Sequence, residues 1–362
     1  MTLAGKHPDL VVWSSEPLNV ETPLEMLARS HVTPTELFYV RNHGPVPAVD
    51  PAAYRLVVDG MVGTPLVLSL EELRGRFETT TVEATLGCAG NRRAELATLR
   101  PIEGEIPWGA GAIGTARWTG VRLRDVLQAA EVAPDAGHVA FTGLDASAAA
   151  EGAVPFGGSI PLPKALGGDV LLAWAMNGEP LPAAHGFPLR VVVPGYIGAR
   201  SVKWLAAVTV QADASSNYFQ ARAYRLFPPH RAVPSDRAAD GLELGELVLS
   251  SALCRLTEGG SGASVVAEGY AVAGGERTVE RVEISPDGGA TWTAASLAAR
   301  PRPGVWCLWR AELELGPGAD EVAVRAWDSA GETQPTGDAG VWNPKGYMND
   351  AWHRVPVARP TV

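Results

Sequence analysis

The sequence predicts an α+β domain followed by an all-β, immunoglobulin-like sandwich. The 40 Gly and 29 Pro among 362 residues cut the chain into short elements and many turns, which favours strands and loops over a helical bundle. Before about residue 240, helix and strand periodicities mix without a regular βαβ alternation, so a doubly wound sheet is not expected. After it, helix signals almost vanish. At this length one compact core is implausible, and two domains are expected, 1–240 and 241–362.

The elements follow in order. To about residue 50 the chain is irregular and Pro-rich, ending in Phe38-Tyr39-Val40-Arg41-Asn42-His43-Gly44-Pro45. Tyr54, Leu56 and Val58 alternate with Arg55, Val57 and Asp59, a strand signal closed by Gly60. Ser69-Leu70-Glu71-Glu72 reads as a capping box opening a short helix through Phe77. Leu123, Val126, Leu127 and Ala130 repeat at helical spacing. Residues 189–193, apolar but for Arg190, stop at Pro194-Gly195 and read as a buried strand. Residues 237–245 are the expected hinge. Beyond it, residues 246–249, 263–270, 279–285, 291–295, 306–313 and 322–327 are short strand candidates. Turn signals such as Gly274-Gly275 and Pro286-Asp287-Gly288-Gly289 separate them, the pattern of a sandwich.

Composition narrows function. A formal net charge of -10 argues against a nucleic-acid partner, because backbone binding needs a basic surface. No run approaches the roughly 18–20 apolar residues of a membrane span. Residues 1–20 lack an apolar signal core or a twin-arginine start, so the expected location is the cytoplasm, or the periplasm if an export signal has been removed. Cys88, Cys254 and Cys307 make no disulfide framework, and no zinc or haem-attachment spacing occurs.

The most informative segment is Gly87-Cys88-Ala89-Gly90-Asn91-Arg92-Arg93. Gly87 and Gly90 let a bulky group approach the thiol. Arg92 and Arg93 are expected to bring positive charge to it, favouring the thiolate that binds metal or attacks an electrophile. Residue chemistry alone reaches an activated or metal-bound thiolate beside an anion site, with a buried structural cysteine as the plain alternative.

Four segments in order give the chain a family resemblance. Cys88-Ala89-Gly90-Asn91-Arg92-Arg93 resembles the metal-ligand motif of sulfite oxidases and eukaryotic nitrate reductases. Phe38-Tyr39-Val40-Arg41-Asn42-His43 resembles the family's first cofactor-contacting loop. His185-Gly186-Phe187-Pro188-Leu189-Arg190 with Gly198-Ala199-Arg200-Ser201-Val202-Lys203-Trp204 resembles its central motif. Arg281-Val282-Glu283-Ile284-Ser285-Pro286-Asp287-Gly288-Gly289 resembles a hairpin of its C-terminal dimerisation domain. The resemblance spans residues 16–357, nearly the whole chain.

It implies a molybdenum cofactor, a molybdopterin (pyranopterin dithiolene) with a terminal phosphate, whose metal takes Cys88 as its protein ligand. His43, Asn42, His185, Arg190, Arg200, Ser201 and Lys203 then lie along the pterin and phosphate, with Gly195, Gly198 and Ala199 bringing backbone N–H groups to the anion. Arg41 and Arg93 hold a small oxyanion substrate, Tyr224 donates a hydrogen bond and Trp108 walls the pocket. The sequence departs from the family at Trp342-Asn343-Pro344-Lys345-Gly346, where sulfite oxidases usually carry Arg. Lys345 keeps the charge but loses the bidentate fork. Ser201 replaces a histidine common in the animal enzymes. Tyr224 with a cation at 345 favours sulfite over nitrate, since nitrate reductases tend to have Asn and Met there.

The implied reaction is oxidation of sulfite to sulfate by oxygen-atom transfer. Electrons leave to a separate acceptor such as a cytochrome c, and the protein is a homodimer. The alternatives are reduction of nitrate or another oxyanion or S-oxide on the same cofactor, a metal-free thiol enzyme using Cys88, and a non-catalytic binding protein. Asp145 matches a position near the pocket but equally suits a loop cap. Cys254 and Cys307 read as core thiols, most of the 11 Trp as packing, and His7, His31, His138, His230 and His353 as surface or structural.

Overall fold

Local chemistry builds the helix expected after Ser69. In this computed structural model, which describes residues 5–149, 152–229, 240–259, 264–316 and 319–357, Ser69 Oγ accepts the Glu72 N–H at 3.1 Å. Glu72 answers at the Ser69 N–H at 2.8 Å, a complete capping box for helix Leu70–Arg76. Helix Leu123–Ala129 buries Leu123, Val126 and Leu127, the stripe its periodicity marks.

Around these short helices the N-terminal half is mostly sheet. One sheet orders its strands Leu66–Leu68, Leu56–Gly60, Leu205–Gln211, His138–Ala149 and Gly152–Pro161. Leu56–Gly60 and Leu205–Gln211 pair in parallel, although about 150 residues separate them. A second sheet runs Glu179–Pro180, Leu171–Met176, Ile113–Arg122 and Thr79–Gly87, with Arg190–Val192 paired to Leu171–Met176. Thr79–Gly87 ends at Cys88, so the sheet delivers the thiol to its edge.

The C-terminal half is a β-sandwich of two four-stranded sheets. One contains Ser250–Glu258, Ser264–Val272, Cys307–Glu314 and Ser296–Leu297, the other Thr293–Ala294, Val279–Ser285, Glu321–Asp328 and His353–Pro356. Leu253, Ala271, Ile284, Trp309, Val322 and Val324 from both sheets share one buried core. The fold class is the expected one. Strand placement differs at both ends of the sandwich. The 246–249 candidate is not a strand. Glu246 makes a single bridge to Tyr196, and the first strand is Ser250–Glu258, whose serines, Arg255 and Glu258 dilute the apolar alternation. The closing strand His353–Pro356 has no apolar pattern of its own; it pairs with Glu321–Asp328.

The expected hinge is only partly visible, because 237–239 lie outside the described residues, as does His230. What is described is tied down: Leu242–Glu243 pairs with Arg225–Leu226, and Leu244 N–H bonds Tyr224 O at 3.1 Å. The two halves also share a core, in which Leu247, Ala252, Tyr270 and Trp306 of the sandwich side join Ala89, Ile113 and Ile197. Among the described residues no helix is long and apolar enough to cross a membrane.

Candidate functional site

The Cys88 thiol sits in a tight turn that the backbone over-determines. Cys88 N–H bonds Ala112 O at 2.9 Å, Asn91 N–H returns to Cys88 O at 3.0 Å, and Gly90 N–H points at Sγ from 3.4 Å. Cys88 is partly exposed, whereas Cys254 and Cys307 are buried. Its opening faces a cleft of about 670 Å³ including the mouth, lined by residues 38–43, Cys88, Asp145, Phe156, His185, Arg190, Ser201, Lys203 and Tyr224. Four distant parts of the sequence, 38–43, 145–156, 185–203 and Tyr224, therefore meet the thiol.

The cleft concentrates positive charge with little to balance it. Arg190 is buried over the Trp118 ring at 4.8 Å, its Nη1 donating to His185 O at 2.9 Å and Nη2 to Ser201 O at 3.0 Å. Lys203 Nζ donates to Arg41 O at 3.1 Å, to Ala184 O at 3.0 Å and to Asn42 Oδ1. Lys6 Nζ donates to Thr35 O at 2.8 Å and Phe38 O at 2.7 Å and meets His185 Nε2 at 2.6 Å. With the ammonium donating, Nε2 must accept, which leaves the His185 proton on Nδ1. These partners are neutral carbonyls, amides and rings; the one carboxylate in the lining is Asp145.

Titration follows from burial first, with the neighbouring cations adding to it at Lys203, His43 and His185. Burial, then neighbouring Arg190, drives Lys203 well below the usual lysine range. Burial brings Lys6 down to about 7 and Arg190 down to about 10. His43 and His185 are held neutral by burial and by the cations beside them. Burial raises Asp145 even though Lys203 pulls the other way. Asn42 Nδ2 and Asp145 Oδ1 are buried without a hydrogen-bond partner. Buried polar atoms and like charges without partners are costly in a folded protein and persist where a ligand completes them. The donor set fits an anionic, hydrogen-bonding cofactor. No group of three or more His, Cys, Asp or Glu side chains that could hold a metal is assembled among the described residues. A metal held here through Cys88 must therefore bring other ligands with it.

Tyr224 is buried at the cleft's other wall, its hydroxyl 2.8 Å from His43 Nε2 and its ring stacked on Tyr347 at 5.4 Å. His43 in turn stacks on Phe156 at 4.6 Å. Arg41 lines the cleft and donates to Asn19 Oδ1 at 3.2 Å.

Of the other sequence-predicted residues, Arg93, Lys345, Trp108 and Arg200 are not part of the lining. Arg93 donates from Nε to Lys345 O at 2.8 Å and from Nη1 to Ile106 O at 2.7 Å, with Nη2 3.5 Å from Glu105. Lys345 Nζ reaches Glu105 at 2.9 Å. Trp108 is fully buried and its Nε1 has no partner. Ser201 lines the cleft, but its hydroxyl accepts the Val193 N–H at 3.0 Å. Arg200 is outside the lining. Its Nη2 donates to Leu244 O at 2.6 Å and lies 3.6 Å from Glu243, while Nη1 is unpartnered.

Three expectations need correction. The cations do not leave Cys88 readily ionised, because burial raises the thiol by more than Arg93 and Arg41 lower it. Arg92 does not serve the thiol. It adopts left-handed φ 67°, which turns its side chain away to Glu95 at 2.7 Å and to Ala351 O at 2.8 Å, against the C-terminal half. Gly195 does not serve the anion either. With φ +79°, an added Cβ there would lie 2.3 Å from Gly275 O, so the glycine permits a close crossing of the two halves.

Sequence reasoning missed Lys6 and Glu105. Lys6 lies in an irregular leader with no motif around it, and Glu105 is an unremarked acid three residues before Trp108.

Comparisons with known proteins agree with this chemistry. Residues 43–219 match the family model described as an oxidoreductase molybdopterin binding domain, and residues 250–359 match the Mo-co oxidoreductase dimerisation domain. The chain is 46% identical to sulfite oxidase of Gallus gallus, over 96% of this chain and 78% of that protein. It is 42% identical to the mitochondrial sulfite oxidase of Homo sapiens, over 97% of this chain and 66% of that protein. Sulfite oxidase of Arabidopsis thaliana is 39% identical, over 97% of this chain and 94% of that protein. Among solved structures, the sulfane dehydrogenase SoxCD of Paracoccus pantotrophus superposes with a TM-score of 0.77 at 28% identity, covering 94% of this chain and 84% of that one.

Proposed function

The chain belongs to the sulfite oxidase family of molybdopterin oxidoreductases, and from that premise we propose that it oxidises sulfite to sulfate and passes the electrons to a separate acceptor. The observation that supports this most directly is the partly exposed Cys88 at the end of a cleft whose cations, Arg41, Arg190 and Lys203, outnumber its one lining carboxylate, Asp145.

When bound, the molybdenum–pyranopterin group supplies the two-electron redox chemistry and the transferable oxygen. The chain's residues bind and orient. Cys88 offers the soft thiolate such a metal favours. Arg190, Lys203 and His185, with Asn42 Nδ2, offer donors for the pterin and its phosphate, and Lys6 braces His185 from behind. Arg41 and Arg93 provide guanidinium groups for a small oxyanion, and Lys345 a third cation. Neutral His43, with its proton on Nε2, donates to the Tyr224 hydroxyl oxygen and leaves the phenol proton free for a substrate oxygen. Preorganised donors of this kind stabilise developing negative charge without reorganising. We read the sandwich as immunoglobulin-like and as the surface joining two copies of the chain, with the domain boundary near residue 240.

Plasma mass spectrometry for molybdenum, paired with fluorescence of the released oxidised pterin, tests cofactor identity. Sulfite-dependent reduction of an artificial acceptor tests the reaction. Nitrate-dependent oxidation of a reduced dye without sulfite activity would transfer the assignment to nitrate reduction.

A further inference from the structure

Glu105 is an acid set among cations. It is largely buried, with 14% of its side chain exposed. One carboxylate oxygen receives Lys345 Nζ at 2.9 Å, and the other lies 3.5 Å from Arg93 Nη2. Arg93 cannot easily leave, because its Nε and Nη1 are committed to Lys345 O and Ile106 O. The group also reaches the cleft by packing: the Arg93 guanidinium lies over the Tyr347 ring at 5.1 Å, and that ring stacks at 5.4 Å on Tyr224, which lines the cleft with Arg41 and Cys88. Glu105, Arg93, Arg41, Tyr224 and Cys88 thus share one neighbourhood.

Two of the three cations assigned to the substrate anion already face a carboxylate. A guanidinium could offer one edge to Glu105 and another to a substrate. Lys345 is a single nitrogen on a flexible stem, and its position is set by whichever anion holds it. We propose that Glu105 is an internal competitor for the oxyanion, holding Lys345 and Arg93 until substrate displaces it and thereby setting substrate affinity. The inference rests on the oxyanion assignment made above.

The test uses the purified holoenzyme and two readouts, sulfate binding to the resting protein by isothermal titration calorimetry and the sulfite KM with kcat. Glu105→Gln should tighten sulfate binding on the order of tenfold, the lower end of the scale of one hydrogen bond to a charged group. It should lower KM more than it changes kcat. Glu105→Asp, which keeps the charge, should stay near the parent, and Glu105→Ala is the second charge-removing form should Gln fold poorly. In a Lys345→Gln background the gain from Glu105→Gln should shrink. Sulfate binding that is absent, unchanged or weaker in the charge-removing variants overturns the proposal, since Glu105 would then only position its partners. Failure of sulfite turnover together with the expected sulfate pattern would instead count against the sulfite reading alone.

Discussion

The sandwich and the cofactor cleft bury charge in opposite ways. In the sandwich, buried Asp328 takes Arg277 at 2.9 Å, and buried Glu283 takes Arg325 at 2.8 Å, with Trp292 3.8 Å from the Arg325 guanidinium. Each acid there meets a cation. At the cleft, Arg190, Arg41 and, from behind, Lys6 crowd Lys203, whose carboxylate neighbour in the lining is Asp145, and two buried polar atoms of the lining have no partner. A fold gains nothing from such crowding by itself. The difference is one of charge: the sandwich pairs these buried acids with cations, although Trp309 Nε1 there is unpartnered too, whereas the cleft leaves its cations for a ligand to complete.

Four substitutions can break or sharpen that contrast. The largest effect is expected at Cys88→Ser: a folded protein whose sulfite turnover falls on the order of 100-fold or more, since a hydroxyl is a poor ligand for a soft metal. Near-normal turnover would remove the thiolate from the chemistry. Next, Lys203→Met should cut pterin content per protein by roughly 10-fold, while raising the melting temperature of cofactor-free protein by relieving repulsion. A lower melting temperature would mean that Lys203 is structural rather than waiting for an anion. Glu283→Gln should do the reverse. Leaving part-exposed Arg325 without its acid should destabilise the chain by about 1–3 kcal/mol in denaturant titrations without changing pterin content. The smallest effect is at Lys345→Arg, where a second edge for the anion should lower the sulfite KM by a few-fold, on the order of one charged hydrogen bond. An unchanged KM would place residue 345 outside the recognition of substrate.

Much of this was legible beforehand, for physical reasons that can be named. The capping box at Ser69 and the stripe on Leu123–Ala129 are local, decided within a few residues. Strand Ser250–Glu258 was not, because its ladder partner rather than its own pattern makes it a strand. Lys6 carried no signal at all: it reaches His185 across 179 residues of sequence.

The amino-acid order determined the reactive thiol, the glycines beside it and the supply of cations, since these are properties of residue type and near neighbours. It could not separate Arg92 from Arg93, two identical side chains in adjacent positions. Folding did that: a left-handed backbone at Arg92 sends its guanidinium to Glu95 and Ala351 O, and Arg93 turns to Glu105 and the Lys345 carbonyl. A one-residue change in direction cannot be read from composition or spacing, because it depends on which distant carbonyls and carboxylates the packed halves bring within reach.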